Sequence, residues 1–268
     1  VDDLTVENAR LSVVDATGPT TLLAERMMLS GESRGEKGPV RLEGSAKVGE
    51  ASLPLNLLMS LTESGELALR MRVAERAEGP GIEAEGTIGA SGRPRFDGEI
   101  VLTGRSGALP WRVSGPAAVT AQALVVQRAE AQAGAGDRLV RATGSFRYLF
   151  GQGGGVEAIL NARQVDLDRL LEGPPRLPRD ALNALLADVP VLASGGFPMS
   201  LGFEIGGMVL GGAQLTDLRG DVQSGSGRWT VQRLSARLPG DSAVEASGDL
   251  VLTGEQGFSG SLSLNAAR

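Results

Sequence analysis

A five-residue phrase recurs along the chain: an apolar residue, a charged one, an apolar or small one, a polar one, then glycine. It reads Val40-Arg41-Leu42-Glu43-Gly44, Ile82-Glu83-Ala84-Glu85-Gly86, Val140-Arg141-Ala142-Thr143-Gly144 and Val244-Glu245-Ala246-Ser247-Gly248. In each copy one parity is apolar or small and the other is charged or hydroxylated, the period of a strand with one dry face and one wet face. A strand of this kind cannot bury its dry face alone. Repetition of the phrase therefore predicts a serial β structure in which each unit leans on its neighbours.

The repeat extends beyond the phrase. Val126-Gln127-Arg128-Ala129-Glu130-Ala131 and Val231-Gln232-Arg233-Leu234-Ser235-Ala236 precede the third and fourth copies, and Ala158-Ile159-Leu160-Asn161-Ala162 and Ser261-Leu262-Ser263-Leu264-Asn265-Ala266 follow them. Both Val-Gln-Arg segments change apolar parity after the valine: Trp229 and Val231 share one phase, while Leu234, Ala236 and Leu238 take the other. A slip of one residue is what a β-bulge produces. The chain thus reads as an amino-terminal β segment over 1–115, a meander over 116–165, a helical insert over 166–195 and a second meander over 196–268, with duplicated blocks at about 116–165 and 221–267.

Composition narrows the class. At 268 residues, 41% hydrophobic and 22% charged, the chain is long enough for one large or two modest domains and is not of the disordered type. Its 39 glycines follow no triplet period, which excludes collagen and leaves turns, bulges and narrow strands. Aromatic residues are only 3%, few for a β protein, so the dry face is built from Leu, Val, Ala and Met. Such a face suits aliphatic material, its own side chains or acyl chains, and suits nucleobases poorly because those recruit aromatic platforms. A net charge of -6 likewise gives no basic footprint for nucleic acid.

With no cysteine there is no disulfide framework or thiolate metal site, and pairing says nothing of the redox compartment. No run of 18 uninterrupted apolar residues is present, so the sequence holds no membrane-spanning helix. A chain that starts at Val1 is expected to be a mature form or an excised fragment.

Along the chain, alternation predicts strands over 4–15 and 21–30, with a turn at Gly18-Pro19 between them and a polar loop over 31–37. Further strands are expected at 40–48, at 53–61 and, after a turn at Ser64-Gly65, at 67–73. Leu53, Leu55, Leu57, Met59 and Leu61 form the cleanest apolar stripe, continued by Leu67, Leu69, Met71 and Val73, with Arg70, Arg72 and Glu75 on a solvated face. Runs at 82–88 and 96–102 follow, the latter adding Ile100 and Leu102 to the apolar set, and then a short strand at 111–114. The helical exception lies between the duplicated blocks. Asp166 is placed to cap a turn over 167–171 that ends at Gly173-Pro174, and Pro178 to start a helix with Leu182, Leu185 and Leu186 on one face. Those helices read as a plug or brace against the sheet.

Catalytic motifs fail on inspection. Histidine is absent, which removes the commonest general base and metal ligand. Gly31-Glu32-Ser33-Arg34-Gly35 matches the Gly-x-Ser-x-Gly elbow, but that motif needs a strand-to-helix turn and a histidine. The spacing from Gly31 to Lys37 is too short for a phosphate loop, and no Ser or Thr follows the lysine. Gly151-Gln152-Gly153-Gly154-Gly155 joins two strands and does not open a helix, so it reads as a hairpin turn. Asp166 and Asp168 offer too few oxygens for calcium and are better explained by capping. No enzymatic activity, no metal and no cofactor are expected.

Taken in order, these segments resemble the AsmA family of bacterial envelope proteins. The resemblance rests on Leu4-Thr5-Val6-Glu7-Asn8-Ala9 with Asp15 and Gly18, on Gly38-Pro39 before Leu42-Glu43-Gly44, on Val165-Asp166-Leu167-Asp168 with Leu170-Leu171, and on Leu238-Pro239-Gly240 before Ala246-Ser247-Gly248. It implies a periplasmic protein tethered to the inner membrane by a segment outside this chain, with a long antiparallel sheet curled into a U-shaped apolar groove. It also implies a role in phospholipid transport between membranes and in outer-membrane homeostasis. The candidate lipid-lining residues are Leu53, Leu55, Leu57, Met59, Leu61, Leu67, Leu69, Met71, Val73, Ile100 and Leu102. The expected partner is a phospholipid or another acyl-chain lipid. The alternative is a structural or partner-binding β-sandwich scaffold of the envelope whose apolar face closes on itself.

Overall fold

The computed structural model describes residues 2–13, 21–35, 38–48, 51–76, 80–89, 94–151, 153–172, 177, 180–181, 183–184, 198–225, 227–240, 242–252 and 257–266. The first half of the chain supplies β1 (Asp2–Val13), β2 (Thr21–Ser33), β3 (Val40–Val48), β4 (Ala51–Leu61), β5 (Leu67–Val73), β6 (Gly81–Gly89), β7 (Arg95–Ser106), β8 (Leu109–Val119) and β9 (Ala123–Ala133). Then come β10 (Val140–Leu149), β11 (Val156–Asp166), helix α1 (Leu167–Leu170), β12 (Met199–Leu210), β13 (Ala213–Gly225), β14 (Arg228–Leu238), β15 (Ser242–Val251) and β16 (Gly257–Asn265). A single 3-10 turn, Gly136–Arg138, joins β9 to β10. The strands form one 16-stranded sheet in sequence order. All four copies of the phrase lie in strands, β3, β6, β10 and β15.

Two compact units share the chain. One comprises Val1–Gly104, Arg112–Gln127 and Leu149–Gln152, and the other Arg105–Trp111, Arg128–Tyr148 and Gly153–Arg268.

The phrase ends in glycine because the neighbouring strand comes too close for a side chain. A Cβ on Gly44 would strike the Met28 carbonyl of β2, and one on Gly144 the Ile159 carbonyl of β11. Gly86 faces Gly98 across β6 and β7, and Gly248 faces Gly260 across β15 and β16, each pair leaving no room for a Cβ. Three of the nine aromatic rings cover close-approach glycines: Phe96 leans over Gly98, Phe203 over Gly220 and Phe258 over Gly260.

The parity slip is a bulge. Across β14 and β15, Val231 pairs with Gly248 and Leu234 with Ala246, so β14 advances three residues while β15 advances two. Gln232 and Arg233 are both exposed, and β9 repeats the pattern, with Gln127 and Arg128 exposed between buried Val126 and Ala129. The duplication does not carry over to the third strand of each block. Gly144 faces Leu160, whereas Gly248 faces Gly260, and Leu264, the sequence counterpart of Leu160, faces Val244.

Neighbouring strands run antiparallel wherever their register is described, with one exception that corrects the expected antiparallel sheet. β11 and β12 pair in parallel, from Val156 opposite Met199 to Asp166 opposite Val209. Alternation carries no strand direction, so the sequence could not show this. Parallel neighbours need a crossover of a dozen or more residues to bring the chain back to the same end, and the connection here runs over 167–198 and begins with α1. α1 packs on β12. Asp166 caps it as expected, its carboxylate accepting from the Arg169 N–H at 2.9 Å. In the rest of the insert Asp180, Ala181, Asn183 and Ala184 are helical, and the Ala181 N–H donates to the Leu177 carbonyl at 3.0 Å. Gly173, Pro174, Pro178, Leu182, Leu185 and Leu186 lie outside the described residues, as do Asp15, Gly18, Pro19, Lys37 and Gln152.

Several strands are longer than their sequence suggested, β7 among them, which runs over 95–106 instead of 96–102. β2 continues through Ser33, so the polar loop begins later, and β8 runs over 109–119 through Pro110 and Pro116. Proline removes a ladder donor, but its fixed φ is compatible with extended backbone, so it weakens a strand without ending it.

Candidate functional site

The eleven sequence-selected residues come together on one face of β4, β5 and β7, with β6 paired between the last two. Residues directly opposite one another in a ladder lie on the same face, with Cβ atoms about 4.5–5.5 Å apart. Leu55 on β4 faces Val73 on β5, Val73 faces Ile82 on β6, and Ile82 faces Leu102 on β7. The next row is Leu57, Met71, Ala84 and Ile100. A third holds Met59 and Leu69 and passes to Gly86 and Gly98, and a fourth holds Leu61, Leu67, Ile88 and Phe96. Leu53 faces Ala46 on β3.

Exposure is graded across this face. Leu53, Leu55, Val73 and Ile100 are buried, while Leu57, Met59, Leu67, Leu69, Met71 and Leu102 are half-buried. Along β4 exposure climbs from 7% at Leu55 to 50% at Leu61, beside the turn that closes on the Thr62 N–H to Glu66 carbonyl bond. Leu29, Leu42 and Ala46 pack into the same cluster, with Val6, Met27, Val40 and Ile82 against it. Sequence reasoning did not select these residues, although Val40, Leu42 and Ile82 occupy the apolar parity of the recurring phrase. Their signal is diluted because alanine and glycine fill the neighbouring positions of that parity.

The opposite face is ionic. Arg70 grips Glu85 with two parallel bonds, Nη2 to Oε1 at 2.6 Å and Nε to Oε2 at 3.1 Å, and Arg72 lies 3.2 Å from Glu83. The hydrogen bond to Glu85, and then its charge, raise the Arg70 pKa, and the same bond and charge hold the Glu85 carboxyl below its usual range. Both partners are well exposed, so the pairs contribute solubility and register more than stability. Leu58 stands among them, facing Arg41 on one side and Arg70 on the other.

The chemically suggestive motifs have structural duties. Gly31, Glu32 and Ser33 finish β2, and the Ser33 hydroxyl donates to the Gly35 carbonyl at 3.0 Å. The next element among the described residues is strand β3 and not a helix, so the serine is not at the strand-to-helix turn a nucleophile elbow needs. The Asp168 carboxylate accepts from the N–H groups of Gly211 and Gly212 at 2.9 and 2.8 Å. Those glycines form the two-residue turn between β12 and β13 with φ of 63° and 73°, a conformation that favours glycine at both positions. Asp168 therefore fastens α1 to a hairpin more than 40 residues away. Among the described residues, no group of three or more His, Cys, Asp or Glu side chains could hold a metal ion, and no helix is long and apolar enough to cross a membrane.

No family model, curated protein or solved structure matches the chain.

Proposed function

We propose that the apolar face of β4 to β7 shelters the acyl chains of phospholipid, and that the chain is a lipid-holding or lipid-conducting segment of an AsmA-like periplasmic protein. In this reading the face is the wall of a curled, U-shaped groove, and a segment outside this sequence tethers the protein to the inner membrane. The observation that supports it most is the register: large aliphatic side chains from four strands stand in continuous rows on one side, with paired charges on the other. The row from Leu29 through Gly44, Leu55, Val73 and Ile82 to Leu102 crosses six strands. At about 4.8 Å per strand that row is roughly 24 Å long.

Burying a tail of about 15 methylenes is worth on the order of 12 kcal/mol at roughly 0.8 kcal/mol each. Contacts of this kind have no direction, so a tail slides from row to row while its headgroup stays in water. Sliding needs no cofactor and no catalytic group. The exposed end at Leu61 and the half-buried residues behind it mark where a tail enters. A role in phospholipid transport and outer-membrane homeostasis follows from the resemblance together with this face.

A photocrosslinking residue at Leu57 or Leu61 is expected to capture phospholipid from bacterial membranes, and one at Arg70 is not. Native mass spectrometry of the purified protein should find the same lipid bound. Folded protein that carries no lipid and is labelled at none of these positions overturns the reading. Burial of Leu53, Leu55, Val73 and Ile100 favours a second reading, a self-packed scaffold that takes no ligand. An apolar fluorophore separates the two, since a sheltering face brightens it in the native state and a sealed one does not.

A further inference from the structure

Helix α1 is a single turn, too short to hold itself in water, where closing a first helical turn is unfavourable. Its neighbours hold it. On one side Leu170 reaches over Gly134, just past β9, where a Cβ would stand 3.0 Å from the leucine Cδ1, and Glu172 pairs with Arg138 in the same connection. On the other side the Asp168 carboxylate accepts from the Gly211 and Gly212 N–H groups in the turn between β12 and β13. The helix therefore straps two turns together across the end of β11, all within one of the two compact units. Leu167 packs against the cluster of Val165, Met208, Leu218 and Ala236.

The two kinds of attachment differ in their access to water. Leu170 and Leu171 are buried, whereas Gly211 and Gly212 are exposed and the Arg138 and Glu172 side chains are 39% and 68% exposed. Water competes for the polar bonds at both ends. Glu172 also has a φ of 50°, a left-handed conformation that residues other than glycine hold only where their surroundings impose it. The strands below are tied differently, since β11 pairs with β12 from Val156 to Asp166. A strained strap fastened at the surface of a continuously paired sheet is the arrangement in which a local unit opens ahead of the rest. We propose that α1 is a flap: it lifts as one piece while the sheet stays paired, with Asp168 and Glu172 as its two clasps. Lifting exposes the row Val165, Met208 and Leu215, an aliphatic surface at the end of three adjacent strands. An apolar ligand that fills this surface holds the flap open. The flap does not depend on lipid binding by β4 to β7.

Hydrogen exchange in dilute urea tests this on the unaltered chain. The Leu171 N–H, bonded to the Leu167 carbonyl at 3.0 Å, and the Gly211 and Gly212 N–H groups, bonded to Asp168, are expected to exchange together. They should do so ahead of the ladder between β11 and β12, and with little dependence on urea because little surface is exposed. Coupling between the clasps is the sharper measurement. Arg138→Met removes the clasp at Glu172, yet it should speed exchange at Gly211 and Gly212 about two- to fivefold, the range of an exposed ion pair. Asp168→Asn should in turn speed exchange at Leu171 about tenfold and brighten an apolar fluorophore in folded protein. An unaltered β-sheet circular dichroism spectrum checks the fold, and Arg138→Met alone carries the test should Asp168→Asn misfold. The proposal is overturned if Arg138→Met leaves Gly211 and Gly212 unchanged, which is separate fraying of the two ends. It is overturned equally if Leu171, Gly211 and Gly212 exchange only with the ladder, since α1 is then a fixed brace. Faster exchange at Leu171 without brightening would overturn the flap as a cover of apolar surface.

Discussion

The row Leu55, Val73, Ile82, Leu102 and the row Ala236, Val244, Leu264 are built alike, yet they fare differently in water. Leu55 has Gly44 on one side and Val73 on the other and is 7% exposed. In the second row Ala236 on β14 is buried, Val244 on β15 is half-buried and Leu264 on β16 is 61% exposed. Side-chain hydrophobicity does not separate Leu55 from Leu264. What separates them is ladder position: an interior strand has apolar neighbours on two sides, an edge strand on one. In a sheet paired strand by strand, burial is conferred by the neighbours on each side, and among the described residues β16 has one.

Truncating each leucine tests this difference most directly. Leu55→Ala removes buried methyl groups from a packed cluster and should cost about 2–5 kcal/mol in urea unfolding. Leu264→Ala, at a position 61% exposed, should change stability by no more than about 0.5 kcal/mol. Similar losses at both sites would mean that the β16 face is covered, and ladder position would lose its explanatory role.

Glycines sharpen the contrast through the backbone. A methyl group at Gly44 would meet the Met28 carbonyl and the Leu29 Cα, neither of which moves without shifting β2, whereas one at Gly257 at the start of β16 meets nothing within 4 Å. Gly44→Ala is expected to cost about 1–3 kcal/mol by the same measurement, and Gly257→Ala to fall within about 0.5 kcal/mol of zero. A tolerated Gly44→Ala would show that β2 and β3 are not held as closely as their register implies.

Much of this was legible in the sequence, because alternation is a local property. The phrase marked β3, β6, β10 and β15, and the parity slip after Val231 marked a bulge, since one extra residue necessarily moves every later side chain to the other face. Asp166 was legible as a cap from its place before Leu167. The parallel pairing of β11 with β12 was not, because alternation is blind to strand direction. Nor was the second task of Asp168, whose partners at Gly211 and Gly212 are remote in sequence. At the candidate site the stripe from Leu53 to Val73 was visible through its large side chains. The contributions of Ala46 and Ala84 were not, because a small residue declares its face only when its cross-strand partners are known.

The smallest expected effect lies on the wet faces. Beside the β4 to β7 rows the cross-strand pair is Arg70 with Glu85, and beside the β16 edge it is Ser247 with Ser261, whose hydroxyl oxygens are 3.0 Å apart. Only the first can titrate. The hydrogen bond from Arg70, and then its positive charge, set the folded pKa of Glu85 below the unfolded one. The pair's stabilisation is therefore present above the ordinary carboxylate range and is lost as pH falls through the depressed folded value. Both side chains are exposed, so the loss is small and shrinks further in salt. A carbon-13 titration should place the Glu85 midpoint below that of a free glutamate and return it to the usual range in Arg70→Met. Glu85→Gln should flatten the acid limb of the stability profile slightly, and Ser247→Ala should leave that limb unchanged. An acid limb that responds to Ser247→Ala as strongly as to Glu85→Gln would mean that the loss comes from disturbed strand pairing, and the ionic face would then differ from the hydroxyl face in solubility alone.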